Sequence, residues 1–171
     1  FIIYGNNNKK SYPELGLYWL YDYNLHKEKD LSLMINKDIK PLVSVNLVVF
    51  NGEDYIKQAI ESLLKQTLRN FELIIINDNS TDKTQNIVDK YKQLDDRIVS
   101  ICNSENLGIS KSRNIAIENS SAKYIAVMDA DDYCYESRLE KQYNFMEENE
   151  DIIICGSFVE MCDEFLTPVQ V

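Results

Sequence analysis

From residue 42 onward the chain alternates between short apolar runs and longer stretches with helical spacing. Residues 42–50, LVSVNLVVF, are a mostly apolar, β-branched run. Residues 53–66 place Ile56, Ala59, Ile60, Leu63 and Leu64 on one helical face. The pattern repeats three times. A strand is predicted at 71–76 with a helix at 81–94, whose stripe is Ile87, Val88, Tyr91 and Leu94 and whose expected N-cap is Ser80. A strand at 97–102 precedes a helix at 109–119, and a strand at 123–128 precedes a helix at 137–149. Two more strands are predicted at 151–157 and 158–164. Strands this apolar are buried on both faces, which implies an α/β fold: a Rossmann-like, mainly parallel sheet with helices on both faces and right-handed crossovers. Asn46, in the middle of the first run, is the exception, because a buried amide needs partners.

Residues 1–40 read differently, being rich in Asn, Lys and Tyr. They are expected to be an N-terminal extension or the tail of a preceding domain, with a short amphipathic helix in ELGLYWLYDYNL, and 41–171 are expected to be the main domain. The single histidine, His26, lies in the extension and is given no role. The chain does not begin with Met, so a piece of a longer polypeptide is expected.

Composition narrows the partners. Eighteen Lys and Arg face 28 Asp and Glu, a net charge of −10. Nucleic-acid binders present a basic face, and no basic cluster occurs, so nucleic acid is not an expected partner and anionic membrane is disfavoured. An acidic protein can still hold an anion through a bridging divalent metal. No apolar run reaches the ~18 residues of a spanning helix, and no signal peptide opens the chain. The spacing of Cys102, Cys134, Cys155 and Cys162 matches no zinc or redox pattern. Cys102 and Cys155, in apolar runs, are expected as buried thiols, which suits a reducing, cytoplasmic location. Asn79 and Asn119 match Asn-x-Ser/Thr, a weak signal in a chain without a secretion signal.

Chemistry gathers where the apolar strands end. In a parallel sheet, ligands bind beyond the carboxyl ends of the strands. There the sequence places residues 51–54, 77–80, 103–108 and, after the fourth strand, Asp129, Asp131 and Asp132. Three carboxylates within four residues repel one another unless a cation joins them. Mg2+ and Mn2+ take oxygen ligands, and a metal that carries phosphates uses only one or two protein carboxylates. The turn is therefore a candidate site for Mn2+ or Mg2+, with another carboxylate left for a sugar hydroxyl.

With these motifs in order, residues 41–164 resemble the nucleotide-sugar-binding half of a family-two glycosyltransferase of the GT-A fold. PLVSVNLVVFNGEDYIKQAIESLLKQT resembles its first strand and helix. FELIIINDNSTDKT resembles its two-Asp, Gly-Ser-Thr-Asp segment, NSENLGISKSRNIAI its Asn-x-Gly and Ala-Arg-Asn segment, and YIAVMDADDYCYESRLEKQ its Asp-x-Asp-Asp metal segment. The resemblance implies that Asp78 accepts from the uracil N–H, which makes a UDP-sugar the donor. It places Asn51 and Glu53 near base and ribose. Arg113 falls beside the nucleotide and the acidic turn, with a structural salt bridge as its competing role. Asp129 and Asp131 contact ribose and metal, Asp132 is the metal ligand in some members, and the division among the three stays open. Asn77 replaces the usual first Asp, Asn79 the usual Gly, and Val48 stands where Pro or Thr is common. Asn tolerates the left-handed backbone that Gly would supply.

Family-two enzymes are generally inverting, with a carboxylate base in an acceptor-binding half. Only 39 residues follow Asp132, and their carboxylates, Glu136, Glu140 and the run from Glu147 to Asp151, read as solvated surface. The acceptor part is expected to be missing, the general base and the glycan acceptor are not identifiable, and this chain is expected to transfer sugar poorly alone. The Asn, Lys and Ile content fits an AT-rich bacterial genome, where such enzymes commonly build surface polysaccharide. Three other readings remain at this point. One is a non-catalytic nucleotide-binding or assembly module. An Asp-dependent phosphatase normally carries its Asp-x-Asp after the first core strand, whereas here it follows the fourth. A receiver domain needs an acceptor Asp after its third strand, and CNSEN offers none suitable.

Overall fold

The computed structural model describes residues 3–5, 40–163 and 166–168. One six-stranded sheet runs through them. Its strands are β1 (Ile3–Gly5), β2 (Val43–Val49), β3 (Phe71–Asn77), β4 (Ile98–Cys102), β5 (Tyr124–Asp129) and β6 (Ile154–Cys155). Four helices connect them: α1 (Ile56–Leu64), α2 (Thr84–Lys92), α3 (Ile109–Glu118) and α4 (Arg138–Glu148). The order across the sheet is β4-β3-β2-β5-β1-β6. Strands β2 to β5 are mutually parallel, while β1 runs antiparallel to both β5 and β6. The α/β, mainly parallel expectation holds.

The period of two along β2 assigns its faces. Val43, Val45, Leu47 and Val49 pack with Ile56, Ala59, Ile60 and Leu63 of α1, Val88 of α2 and Leu139 and Met146 of α4. The residues between them face α3, where Ile74, Ile76 and Ala116 form a second, smaller core against Val48, Ile101 and Ile115. Helices thus cover both faces, three on one and one on the other. Each fully buried Leu or Ile contributes roughly 1.5–3 kcal/mol, so the larger face carries most of the stability.

Residues 3–5 join the sheet, with Gly5 opposite Tyr124, as an N-terminal extension packed on the domain would; the helix expected in ELGLYWLYDYNL and His26 lie outside the described residues. Several other expectations need correcting. Leu94 falls beyond the end of α2 and is 71% exposed. Cys155 is buried, but Cys102 is exposed because β4 is an edge strand that ends there. Of the last two predicted strands, only Ile154–Cys155 forms, and 158–163 has none. Ile153, Phe158, Val159 and Met161 are exposed, and pairing beyond them amounts to an isolated antiparallel bridge between Cys162 and Pro168.

Asn46 is 2% exposed. Its Oδ1 accepts from the Ser120 hydroxyl at 3.1 Å, while its Nδ2 is buried with no hydrogen-bond partner among the described residues; Asn46 and Asp129 both line a cavity of about 690 Å³. A buried unpaired donor costs roughly 1–3 kcal/mol. Ser120 also reaches the Ala116 carbonyl at 2.8 Å, so it keeps an acceptor without Asn46. Asn46→Val is therefore expected to stabilise the domain by about 1 kcal/mol in urea denaturation. A destabilisation of that size would show that Nδ2 is satisfied in solution.

Candidate functional site

Because β2 to β5 are parallel, the four polar segments predicted from the sequence emerge at one edge of the sheet. The first two are stitched together. The Asn51 N–H donates to Ser80 Oγ at 2.9 Å, and Asn51 Oδ1 accepts from the Thr81 N–H at 2.8 Å. The Gly52 N–H donates to Thr84 Oγ1, the Glu53 N–H to Asp82 Oδ2, and Glu53 Oε2 accepts from the Lys83 N–H. A Cβ on Gly52 would lie 2.6 Å from Val49 Cγ2, so the close approach requires glycine. Asn51 and Glu53 thus brace the loop after β3 with their side chains.

That loop corrects one local expectation. Ser80 does not cap α2, which begins after Lys83 with no side-chain cap bond. Its hydroxyl serves Asn51, and Asp82 Oδ1 accepts from the Thr84 N–H instead. Burial favours protonated Asp82, but hydrogen bonds from Thr84 and the Glu53 N–H outweigh it and hold the carboxyl below its ordinary range. The Asn substitutions fit the turn. Asn77 Oδ1 accepts from the Ser80 N–H, and Asn79 adopts a left-handed backbone with φ of 61°.

Asp78 joins the second segment to the third. It is 2% exposed. Its Oδ1 accepts from Asn103 Nδ2 at 2.7 Å and from the Leu107 N–H at 2.9 Å, and its Oδ2 accepts from the Gly108 N–H at 2.8 Å. Burial alone would raise its pKa. Hydrogen bonds from the Asn103 amide, the Leu107 and Gly108 N–H groups and the Ser112 hydroxyl hold it below the ordinary carboxylate range. The sequence reading singled out Asp78 but missed these donors, of which Gly108, with φ of 80°, was the one visible signal.

The fourth segment is the acidic turn. It follows β5 directly, and the Asp132 N–H closes it onto the Asp129 carbonyl at 3.3 Å. Arg113 of α3 donates through Nη2 to Asp129 Oδ1 at 2.6 Å, in a pair whose side chains are 37% and 54% exposed. The salt bridge weighed for Arg113 is present, and it holds the guanidinium at the turn. Asp131 is exposed and Asp132 half-buried. Burial, then the charges of Asp131 and Asp129, push the Asp132 carboxyl up, the mutual repulsion expected of clustered carboxylates. Among the described residues, no three His, Cys, Asp or Glu side chains converge into a metal cage. The set of Asp129, Asp131 and Asp132 is therefore not assembled as three protein ligands. It fits a hard divalent cation that takes one or two carboxylates and fills its shell from substrate and water.

A mainly parallel α/β sheet with a polar crevice at its strand ends and a carboxylate turn on its fourth parallel strand has the architecture of the GT-A fold. Residues 44–170 match the model of Glycosyl transferase family 2, and the chain belongs to that family. It is 44% identical over 133 residues to an uncharacterised glycosyltransferase of Methanocaldococcus jannaschii, a match that covers 77% of this chain and 46% of that protein. It is 41% identical over 106 residues to the UDP-Glc:alpha-D-GlcNAc-diphosphoundecaprenol beta-1,3-glucosyltransferase of Escherichia coli, covering 62% of this chain and 41% of that enzyme. Among solved structures, S. aureus TarS 1-349 in complex with UDP matches with a TM-score of 0.60 and 30% identity, over 66% of this chain and 33% of that one. TarS 1-349 has also been solved with UDP-GlcNAc. A Pyrobaculum calidifontis mannosyltransferase in complex with GDP-Man and Mn2+, at 19% identity and a TM-score of 0.52, shares the fold over 56% of this chain and 29% of that one. The chain spans less than half the length of these relatives. No described helix is long and apolar enough to cross a membrane.

Proposed function

We propose that this chain is the donor-binding part of an inverting glycosyltransferase that takes a UDP-sugar through Mn2+ or Mg2+. The acidic turn carries the reading: three like charges at the end of a buried strand, one of them already held by a cation, Arg113. One or two of Asp131, Asp132 and Asp129 hold the metal, and a carboxylate left over is available to the ribose. A bound Mn2+ or Mg2+ would neutralise the diphosphate as it leaves. Asp78 Oδ2 accepts from the Gly108 N–H, and the carboxylate is the acceptor proposed for the uracil N–H. Asn51 and Glu53 shape the base and ribose side of the crevice through the bonds that brace its loops. Arg113 lies within reach of a diphosphate on the turn.

The TarS complexes with UDP and UDP-GlcNAc support a uridine donor, and a mannosyltransferase that shares the fold was solved with GDP-Man and Mn2+. Transfer to a glycan acceptor, in the cytoplasm and for polysaccharide assembly, is proposed for the whole protein; alone, this chain is expected to bind donor and transfer poorly. The phosphatase and receiver readings give way to the family assignment. Titration calorimetry of UDP with and without Mn2+ tests the proposal. Weak binding without the metal, tightened by Mn2+, is expected. No binding under either condition would support a non-catalytic assembly module instead.

A further inference from the structure

Behind the acidic turn lies a buried cation that neither the family resemblance nor the donor reading uses. Arg138 is the first residue of α4 and is 8% exposed. A positive charge at a helix N-terminus opposes the helix dipole, so this position needs a reason other than the helix. The guanidinium fork gives one. Nη2 donates to the Val127 carbonyl on β5 at 3.1 Å, before the turn. Nη1 donates to Cys134 Sγ at 3.5 Å, after the turn. Nε donates to Gln142 Oε1 at 3.0 Å, one helical turn along α4. One planar group therefore grips both ends of the segment that carries Asp129, Asp131 and Asp132.

The exit from the turn is tied down a second time, to Ser62 of α1 and to Gln66 just beyond that helix. The Cys134 N–H donates to Ser62 Oγ at 3.2 Å, and Gln66 Nε2 donates to the Tyr135 carbonyl at 2.8 Å. Gln66 Oε1 accepts from the Leu139 N–H at 3.0 Å, which joins this tie to the start of α4. Ser62 and Gln66 are fully buried, so the bonds are shielded from competing water.

We propose that Arg138 is the positioning residue of the acidic turn. Its fork fixes the strand before the turn and the segment after it, and so sets the three carboxylates for a divalent cation. The role in metal use rests on the donor-site reading above; the role in holding the turn does not. Charge alone predicts a different behaviour, because a nearby positive group opposes cation binding by Coulomb repulsion.

Arg138→Lys separates the two, since lysine keeps the charge and loses the fork. Three measurements are made on it: melting temperature, amide hydrogen exchange of the metal-free protein, and UDP affinity with and without Mn2+. Exchange at Asp132 and Cys134, whose amides are hydrogen-bonded, is expected to quicken about tenfold while the β3 amides stay unchanged. The Mn2+-dependent gain in UDP affinity is expected to fall roughly tenfold, with metal-free affinity unaltered, as for other groups that orient metal ligands. Wild-type exchange in the turn would overturn the proposal. So would a parallel loss of both affinities with the melting temperature, which is the signature of a purely structural residue. If wild-type protein binds no UDP with Mn2+, the donor reading fails, and the exchange data alone decide whether Arg138 holds the turn. Should Arg138→Lys fail to fold, Gln142→Leu removes one acceptor of the fork, and the same turn amides are expected to quicken less; unchanged exchange there would also overturn the proposal.

Discussion

Asp78→Ala is expected to destabilise the domain by roughly 2–4 kcal/mol, because it removes a buried acceptor that three donors share. The half-buried Leu107 and Gly108 N–H groups would lose the acceptor they have in the structure, and the buried Asn103 Nδ2 would keep only Ser112 Oγ, at 2.9 Å. An orphaned donor costs roughly 1–3 kcal/mol when buried, and less when water can reach it. Domains have only about 5–15 kcal/mol of stability, so the midpoint of thermal unfolding should drop on the order of 10 °C. Asp78→Asn keeps the shape and one acceptor oxygen but turns an amide towards N–H groups, and should fall between wild type and Ala.

The pH dependence follows from the sign of the shift. Burial pushes the Asp78 carboxyl up, and the stronger effect of its hydrogen bonds holds it below the ordinary range. A carboxylate with a depressed folded-state pKa contributes stability above its unfolded value of about 3.9, lost as the pH falls through the folded value. The gap between wild type and Asp78→Ala in urea denaturation should thus be constant from pH 7 to about 4 and narrow below that. A gap that closes between pH 7 and 5 would mean the carboxylate is not held this way.

The second large effect is on binding. Asp131→Ala is expected to weaken UDP binding in the presence of Mn2+ by roughly 10- to 150-fold, the loss of about 1.5–3 kcal/mol for a contact with a charged group. Asp131 is exposed and accepts no hydrogen bond described in the structure, so melting temperature should barely move. This separates it from Asp78→Ala, which lowers stability first. The metal-free affinity of Asp131→Ala should match wild type, because its role is through the cation. Equal affinity with Mn2+ in both proteins would remove Asp131 from the site.

The elements that could be read from sequence are those whose pattern repeats locally. Ile56, Ala59, Ile60 and Leu63 mark one helix face, and the apolar β2, β3 and β5 can only be interior strands. The acidic turn was legible for the same reason, since its three carboxylates are contiguous with a buried strand. What escaped depends on partners distant in sequence. Ser80 has the right residue type for an N-cap, but its hydroxyl is taken by Asn51, 29 residues away. Residues 158–163 carry strand-like apolar side chains, yet a strand needs a neighbour, and pattern does not supply one. Cys102 sits in an apolar run whose burial depends on β4 being at the sheet edge. Arg138 looks like any charged residue opening a helix until Val127, Cys134 and Gln142 are brought around it. Asp78 could be named as a site residue, but its second task, holding the 103–108 loop, appears only in three dimensions.

All of these roles converge on whether a divalent ion bridges the acidic turn and a uridine diphosphate. Anomalous diffraction from crystals soaked with Mn2+ and UDP tests this directly. A manganese peak is expected within about 2.0–2.3 Å of an Asp131 or Asp132 oxygen and of a diphosphate oxygen. Crystals that hold UDP elsewhere, with no manganese at the turn and the three aspartates turned to bulk water, would contradict it.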